Sequence, residues 1–180
     1  MRILSDHSDG TDPSEPFVED VGGPISVCLH RTDGPTGGTS AASLVADLCS
    51  DDSRLPVYWC GMYSPCMTLY MPVFLEGDLP PALSIGNEQA SEDSPWWAFH
   101  NITQSGLAEG AERRREIRSA WAPLQDELTE SAYEMARRGR DLIDGGWPKQ
   151  ASTLLSGYMH ENFVRMMEAA RTLERTAVAR

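Results

Sequence analysis

The hydrophobic pattern changes period partway along the chain, and that change constrains the fold more than any single motif does. Between residues 25 and 75 the apolar residues fall in short runs separated by turns. Ile25–His30 alternates Ile25, Val27 and Leu29 against Ser26, Cys28 and His30, the period of two that a half-buried strand shows. Gly34-Pro35-Thr36-Gly37-Gly38 makes a turn. Thr39–Leu48 alternates as well, with the small residues Thr39, Ala41 and Ser43 on one side. Propensity alone leaves a helix open for this segment; its strand-like neighbours favour a strand, whose small side suits a closely covered sheet face. Asp51-Asp52-Ser53 turns again, and Val57–Tyr63 and Cys66–Leu75 are aromatic, β-branched and Met-rich runs separated by Ser64-Pro65. Pro72, near the end of its run, points to an edge or a bulge. The expectation is an antiparallel meander of about four strands.

From Ser94 the period becomes helical. Ser94 suits an N-cap, with Pro95 at the first position of a short helix that packs Trp97 and Ile102 downward. Ile117, Trp121, Leu124, Leu128 and Met135 recur at spacings of three, four or seven, with Pro123 predicting a kink or a break. Gly139, Gly145-Gly146 and Pro148 punctuate. A last helix carries a wide apolar stripe through Leu154, Leu155, Tyr158, Met159, Phe163, Met166, Met167, Ala170 and Leu173. That stripe is expected in the core, the alternative being a docking surface for a partner or a homo-oligomer. Together the two halves predict an α+β protein: a β-rich segment over 1–105 and a helical region over 106–180 packed on it.

The charge follows the same division. Residues 1–105 hold 15 acids against three bases (Arg2, Arg31, Arg54), and residues 106–180 hold 12 of each. An acidic front half repels phosphate backbones, so no nucleic-acid partner is expected. The basic triplet Arg113-Arg114-Arg115 lies among Glu109, Glu112 and Glu116 and is expected as a solvated, internally paired helix face. No stretch approaches the roughly 20 apolar residues of a membrane span, and Met-Arg-Ile-Leu-Ser-Asp-His lacks the apolar core of an export signal. A cytoplasmic protein away from the membrane is expected.

Standard catalytic motifs are absent from the sequence. The cysteines Cys28, Cys49, Cys60 and Cys66 form no C-x-x-C pair, and in a reducing compartment no disulfide is expected. Cys28-Leu29-His30 puts a thiol and an imidazole on one face of a strand, which suits a metal or a Cys–His pair. The favoured reading is instead that these cysteines are small buried hydrophobes, so no metal ligand is expected. The histidines His7, His30, His100 and His160 fall on different elements and give no assignable Ser–His or Cys–His pair.

One ordered series of segments is informative. Asp6-His7 is followed by Ser26-Val27-Cys28-Leu29-His30 and by Gly38-Thr39-Ser40-Ala41-Ala42-Ser43-Leu44-Val45. Val57-Tyr58-Trp59-Cys60, Ser64-Pro65-Cys66, Met71-Pro72-Val73-Phe74 and Asp93-Ser94-Pro95-Trp96-Trp97 come next. This order resembles the secernin-type dipeptidase family of N-terminal-nucleophile (Ntn) cysteine hydrolases, most densely between Ser26 and Trp97, with Ser40 and Ala41 departing from the family's Thr-Ala-like pair. The resemblance implies a partial Ntn-hydrolase sheet followed by helices. It also implies hydrolysis of a small peptide or amide by a cysteine at the mature N-terminus, whose own α-amino group is the base. Here Met1 and Arg2 stand first and the nearest cysteine is Cys28, in mid-strand. The expectation is therefore a C-terminal portion of such an enzyme, a fragment with its nucleophile outside this sequence and no activity alone. No catalytic residue within the 180 positions and no metal or organic cofactor is expected. Thr39 and Ser40 are the candidates for substrate contact, set against simple sheet packing. The competing reading is a non-catalytic interaction domain that uses its C-terminal helices.

Overall fold

The computed structural model describes residues 1–7, 27–30 and 38–178. Within them lie a three-stranded antiparallel sheet and three long helices, an α+β arrangement. The strands are β1 (Ala42–Asp47), β2 (Val57–Met62) and β3 (Tyr70–Val73), in the order β1-β2-β3. The helices are α1 (Pro95–Glu109), α2 (Ala111–Asp144) and α3 (Pro148–Val178). Short 3-10 turns occupy Arg2–Ser5, Pro65–Met67 and Pro81–Ser84.

The meander is present with three strands where about four were expected. Of the first expected strand, Ile25 and Ser26 lie outside the described residues. Residues 27–30 form no strand, and the Ser40 amide alone donates across to the Leu29 carbonyl at 3.0 Å. Cys66–Leu75 is divided, because Pro65 and Ser64 start a 3-10 turn that ends at Met67 before β3 begins. Pro72 does sit on an edge strand, where its missing N–H costs no ladder bond. That edge is closed by a side chain: Gln125 of α2 accepts from the Tyr70 amide at 2.8 Å and donates back to the Tyr70 carbonyl at 3.3 Å.

The two sheet faces differ. Val57, Trp59 and Gly61 point to one face and are buried, with Tyr70 and Pro72 beside them. Close approach is essential at Gly61: a Cβ there would meet Ser43 Oγ at 2.6 Å, Thr68 Cγ2 at 2.8 Å and Tyr70 Cε1 at 3.0 Å. The small side expected to be closely covered is not: Ala41 is exposed, and Thr39 and Ser43 are only half-buried. On the opposite face, burial falls strand by strand. Met71 and Val73 are buried, while their partners Cys60 and Tyr58 are half-buried. Across the next pairing, Leu44 and Ala46 on β1 are exposed.

The helices supply most of the core. In α3 Ala151, Leu155, Met159, Met166 and Ala170 are fully buried, so the predicted stripe packs inward. Gly139 of α2 lets α3 come close, since a Cβ there would lie 2.7 Å from Leu55 Cδ1 and 3.2 Å from Leu155 Cδ1. Helix α2 runs unbroken through Pro123. Its packing partners on both sides outweigh one lost backbone bond. Ser94 stands at the N-cap of α1 with Pro95 first, but its hydroxyl makes no capping bond. Residue 105 falls inside α1, and one apolar cluster draws on residues from both halves. Among the described residues no helix is long and apolar enough to cross a membrane.

The basic triplet differs from expectation. Arg113 is only 3% exposed and Arg114 only 9%. Arg113 pairs with Glu116 at 3.2 Å and donates to the Leu173 carbonyl at 3.1 Å, and Arg114 reaches the Gly106 carbonyl. Two of the three guanidiniums therefore stitch α1, α2 and α3 together from inside, using acceptors that sequence spacing does not reveal.

Candidate metal centre

Three segments far apart in sequence meet beside the sheet. The turn at Arg2–Ser5 delivers His7, residues 27–30 deliver Cys28 and His30, and the turn at Pro65–Met67 delivers Cys66. Backbone and hydroxyl bonds hold them in place. The Cys28 amide donates to the Asp6 carbonyl at 3.0 Å, and Ser5 Oγ donates to the Pro65 carbonyl at 3.3 Å. The Leu29 amide donates to Ser40 Oγ at 3.1 Å and its carbonyl accepts from the Ser40 amide, fixing the residue between Cys28 and His30 from both sides. Tyr63, at φ 63°, turns the chain out of β2 toward Cys66. A left-handed conformation at a bulky residue is uncommon and is held here by its amide bond to the Ala41 carbonyl.

The side chains converge on a point. The ligand atoms of His7, Cys28, His30 and Cys66 all lie within 4.8 Å of one another. His7 Nε2 is 3.1 Å from His30 Nε2, which is also 3.5 Å from Cys28 Sγ and 3.3 Å from Cys66 Sγ. The two rings are inclined by 29°. Cys28 is fully buried, His7 is 2% and Cys66 6% exposed, and His30 is half-buried. All four cysteines are free thiols.

The group is electrostatically strained toward a thiolate. A hydrogen bond from Cys66 is the leading influence that holds the Cys28 thiol far below its ordinary range; burial opposes it, and His30 and His7 assist. Cys66 is pushed up for the reciprocal reason, because it keeps the proton it donates to Cys28, and burial adds to this. Such a pair can serve as a nucleophile or as metal ligands. Cys28 presents no surface to an incoming carbonyl, an arrangement that suits a ligand better than a nucleophile.

The other sites anticipated from sequence lie apart. Ser40 is engaged with Leu29, and Thr39 is half-buried beside it. Cys49 bonds Asp51 in an exposed turn, and Cys60 lies half-buried on β2. His100 stacks on Trp96 in an aromatic group with Tyr63 and Trp97. A cavity of about 210 Å³ adjoins Cys66 and is lined by Ser5, Tyr70, Arg118, Trp121 and Gln125 among others. The Cys28-x-His30 spacing was the visible signal of the cluster; nothing in the sequence joins His7 or Cys66 to it. Comparison with protein-family models, with curated proteins and with solved structures gives no match.

Proposed function

We propose that this chain is the rear, nucleophile-free part of a cysteine amide hydrolase of the secernin-like Ntn type, acting on a small peptide or amide once the nucleophile-bearing part is supplied. The observation that carries the reading is the uneven cover of the sheet. Ntn hydrolases stack two antiparallel sheets between helical layers. Here helices line one side, and the opposite side is left open toward β1, where Leu44 is 58% exposed and Ala42 and Ala46 are exposed beside it. An apolar sheet face of this kind calls for a covering layer, and a second sheet of the same enzyme fits it. Burial of Cys28 and Cys66 supports the same reading, because it takes both thiols out of contention as nucleophiles and leaves that role to a cysteine elsewhere.

The test begins with the DNA upstream of the Met1 codon. An adjoining coding stretch with an early cysteine should, when joined to this chain, give dipeptide hydrolysis. Leu44→Glu should then abolish it by preventing the sheets from stacking, while the 180-residue chain alone stays inactive. Dipeptide turnover by the 180-residue chain itself would refute the reading, as would an unrelated upstream region. The second outcome would favour a free-standing interaction domain.

A further inference from the structure

We propose that His7, Cys28, His30 and Cys66 bind one zinc ion in a closed, tetrahedral, structural site. The site is independent of the hydrolase reading and has its own test.

The first argument is valence. A neutral imidazole nitrogen has either one N–H or one lone pair, so it makes one good hydrogen bond. His30 Nε2 has three polar neighbours, at 3.1, 3.3 and 3.5 Å. Hydrogen bonding satisfies one of these contacts and leaves two heteroatoms crowded against it. A cation at the centre satisfies all of them at once, each nitrogen and sulfur directing a lone pair inward.

Geometry gives the second argument. Zinc–nitrogen bonds of about 2.0–2.1 Å and zinc–sulfur bonds of about 2.3 Å place tetrahedral ligands about 3.3 Å apart for two nitrogens and about 3.6 Å apart for nitrogen and sulfur. The corresponding separations here are 3.1 Å for the two nitrogens and 3.3 and 3.5 Å for sulfur to nitrogen. The three edges that meet at His30 Nε2 thus fit to within a few tenths of an ångström, and the remaining ligand atoms lie within 4.8 Å of one another. Two imidazoles with two thiolates form a borderline-soft donor set, which suits zinc better than the oxygen-seeking magnesium or calcium.

Charge and burial give the third. Binding displaces the proton that Cys66 donates to Cys28, and the two thiolates then cancel the charge of the divalent cation. A neutral unit is what an interior with three of its four residues under a tenth exposed can hold. With four protein ligands no coordination position is left for water or substrate, which marks the site as structural rather than catalytic. What it joins is distant in sequence: the N-terminal turn, the segment at 27–30 and the turn after β2.

The experiment uses the full chain. After purification under reducing conditions it should carry one zinc per chain. Stripped with a chelator and titrated with cobalt(II), it should develop the intense visible bands of a tetrahedral site and a thiolate-to-cobalt charge-transfer band, saturating at one equivalent and bleached by zinc. Cys28→Ser, Cys66→Ser and His7→Gln should each weaken cobalt binding by more than the roughly 10–100-fold that outer-shell partners cost. Cys49→Ser and Cys60→Ser should leave it unchanged. His7→Gln removes a ligand outside the long helices, so its helical circular dichroism should persist and separate lost binding from lost folding. A pale octahedral spectrum, stoichiometry below one in the reduced chain, or affinity that survives Cys28→Ser and Cys66→Ser would each overturn the proposal.

Discussion

The two ends of the sheet are held by different physics. At β3 the chain is fixed by bulk apolar burial: Met71 and Phe74 are 1% exposed, Leu69 is fully buried, and the Phe74 amide meets the sulfur of Met159 on α3. At β1 the burial is shallow, with exposed and half-buried residues alternating along its whole length. Its fastenings are polar and few. Asp47 accepts from Tyr133 and pairs with Arg54, both at 2.7 Å, and Trp96 Nε1 donates to the Ala41 carbonyl. The Cys–His cluster joins residues 27–30, which bond Ser40 just before β1, to the N-terminal turn and the turn at Pro65–Met67. Small apolar cover can be replaced by cross-links, and the proposed cation would make that exchange here.

Mutations at the packed end should have the largest effects. Leu155→Ala opens a cavity between α3, Gly139 and Leu55 and should cost about 3 kcal/mol, read as a lower denaturant midpoint with an unchanged slope. A cost under about 1 kcal/mol would mean that the helices do not carry the core. Gly61→Ala forces a methyl against Ser43, Thr68 and Tyr70 and should cost about 2 kcal/mol. If it were neutral, the tight packing around Gly61 would be wrong.

At the β1 end the effects should be smaller. Asp47→Asn should cost about 1 kcal/mol at neutral pH through loss of its charged bonds to Tyr133 and Arg54. Burial tends to raise the Asp47 carboxyl, but the Tyr133 and Arg54 bonds outweigh it and hold the group below its ordinary value. The unfolded chain therefore takes up this proton more readily. The contribution is full above about pH 5 and is lost as pH falls through the carboxylate range, so wild type and Asp47→Asn should converge in stability on acidification. Convergence on raising the pH would contradict this. Leu44→Lys, on the open face, should change the stability of the 180-residue chain by less than about 0.5 kcal/mol.

The sequence made the packed end legible and the thin end much less so. Helical periodicity at Leu155, Met159, Met166 and Ala170 announces a buried stripe, and alternation in Val57–Met62 announces a strand with one buried side. Both signals are local, and local spacing is what periodicity reports. Cys28-x-His30 was visible as a same-face pair for the same reason. His7 and Cys66 join it only through the Cys28–Asp6 and Ser5–Pro65 bonds, contacts between segments that no local pattern encodes. Burial of Arg113 and Arg114 was hidden likewise, because their acceptors Leu173 and Gly106 lie on other helices.

Amide hydrogen exchange on the full chain, with zinc and after its removal by a chelator, tests the division most directly. A cation that fastens only the thin end predicts that removal exposes residues 1–7, 27–30 and β1 to rapid exchange, while α2 and α3 keep their protection. Protection that is identical in the two states at residues 1–7 and 27–30 would contradict it.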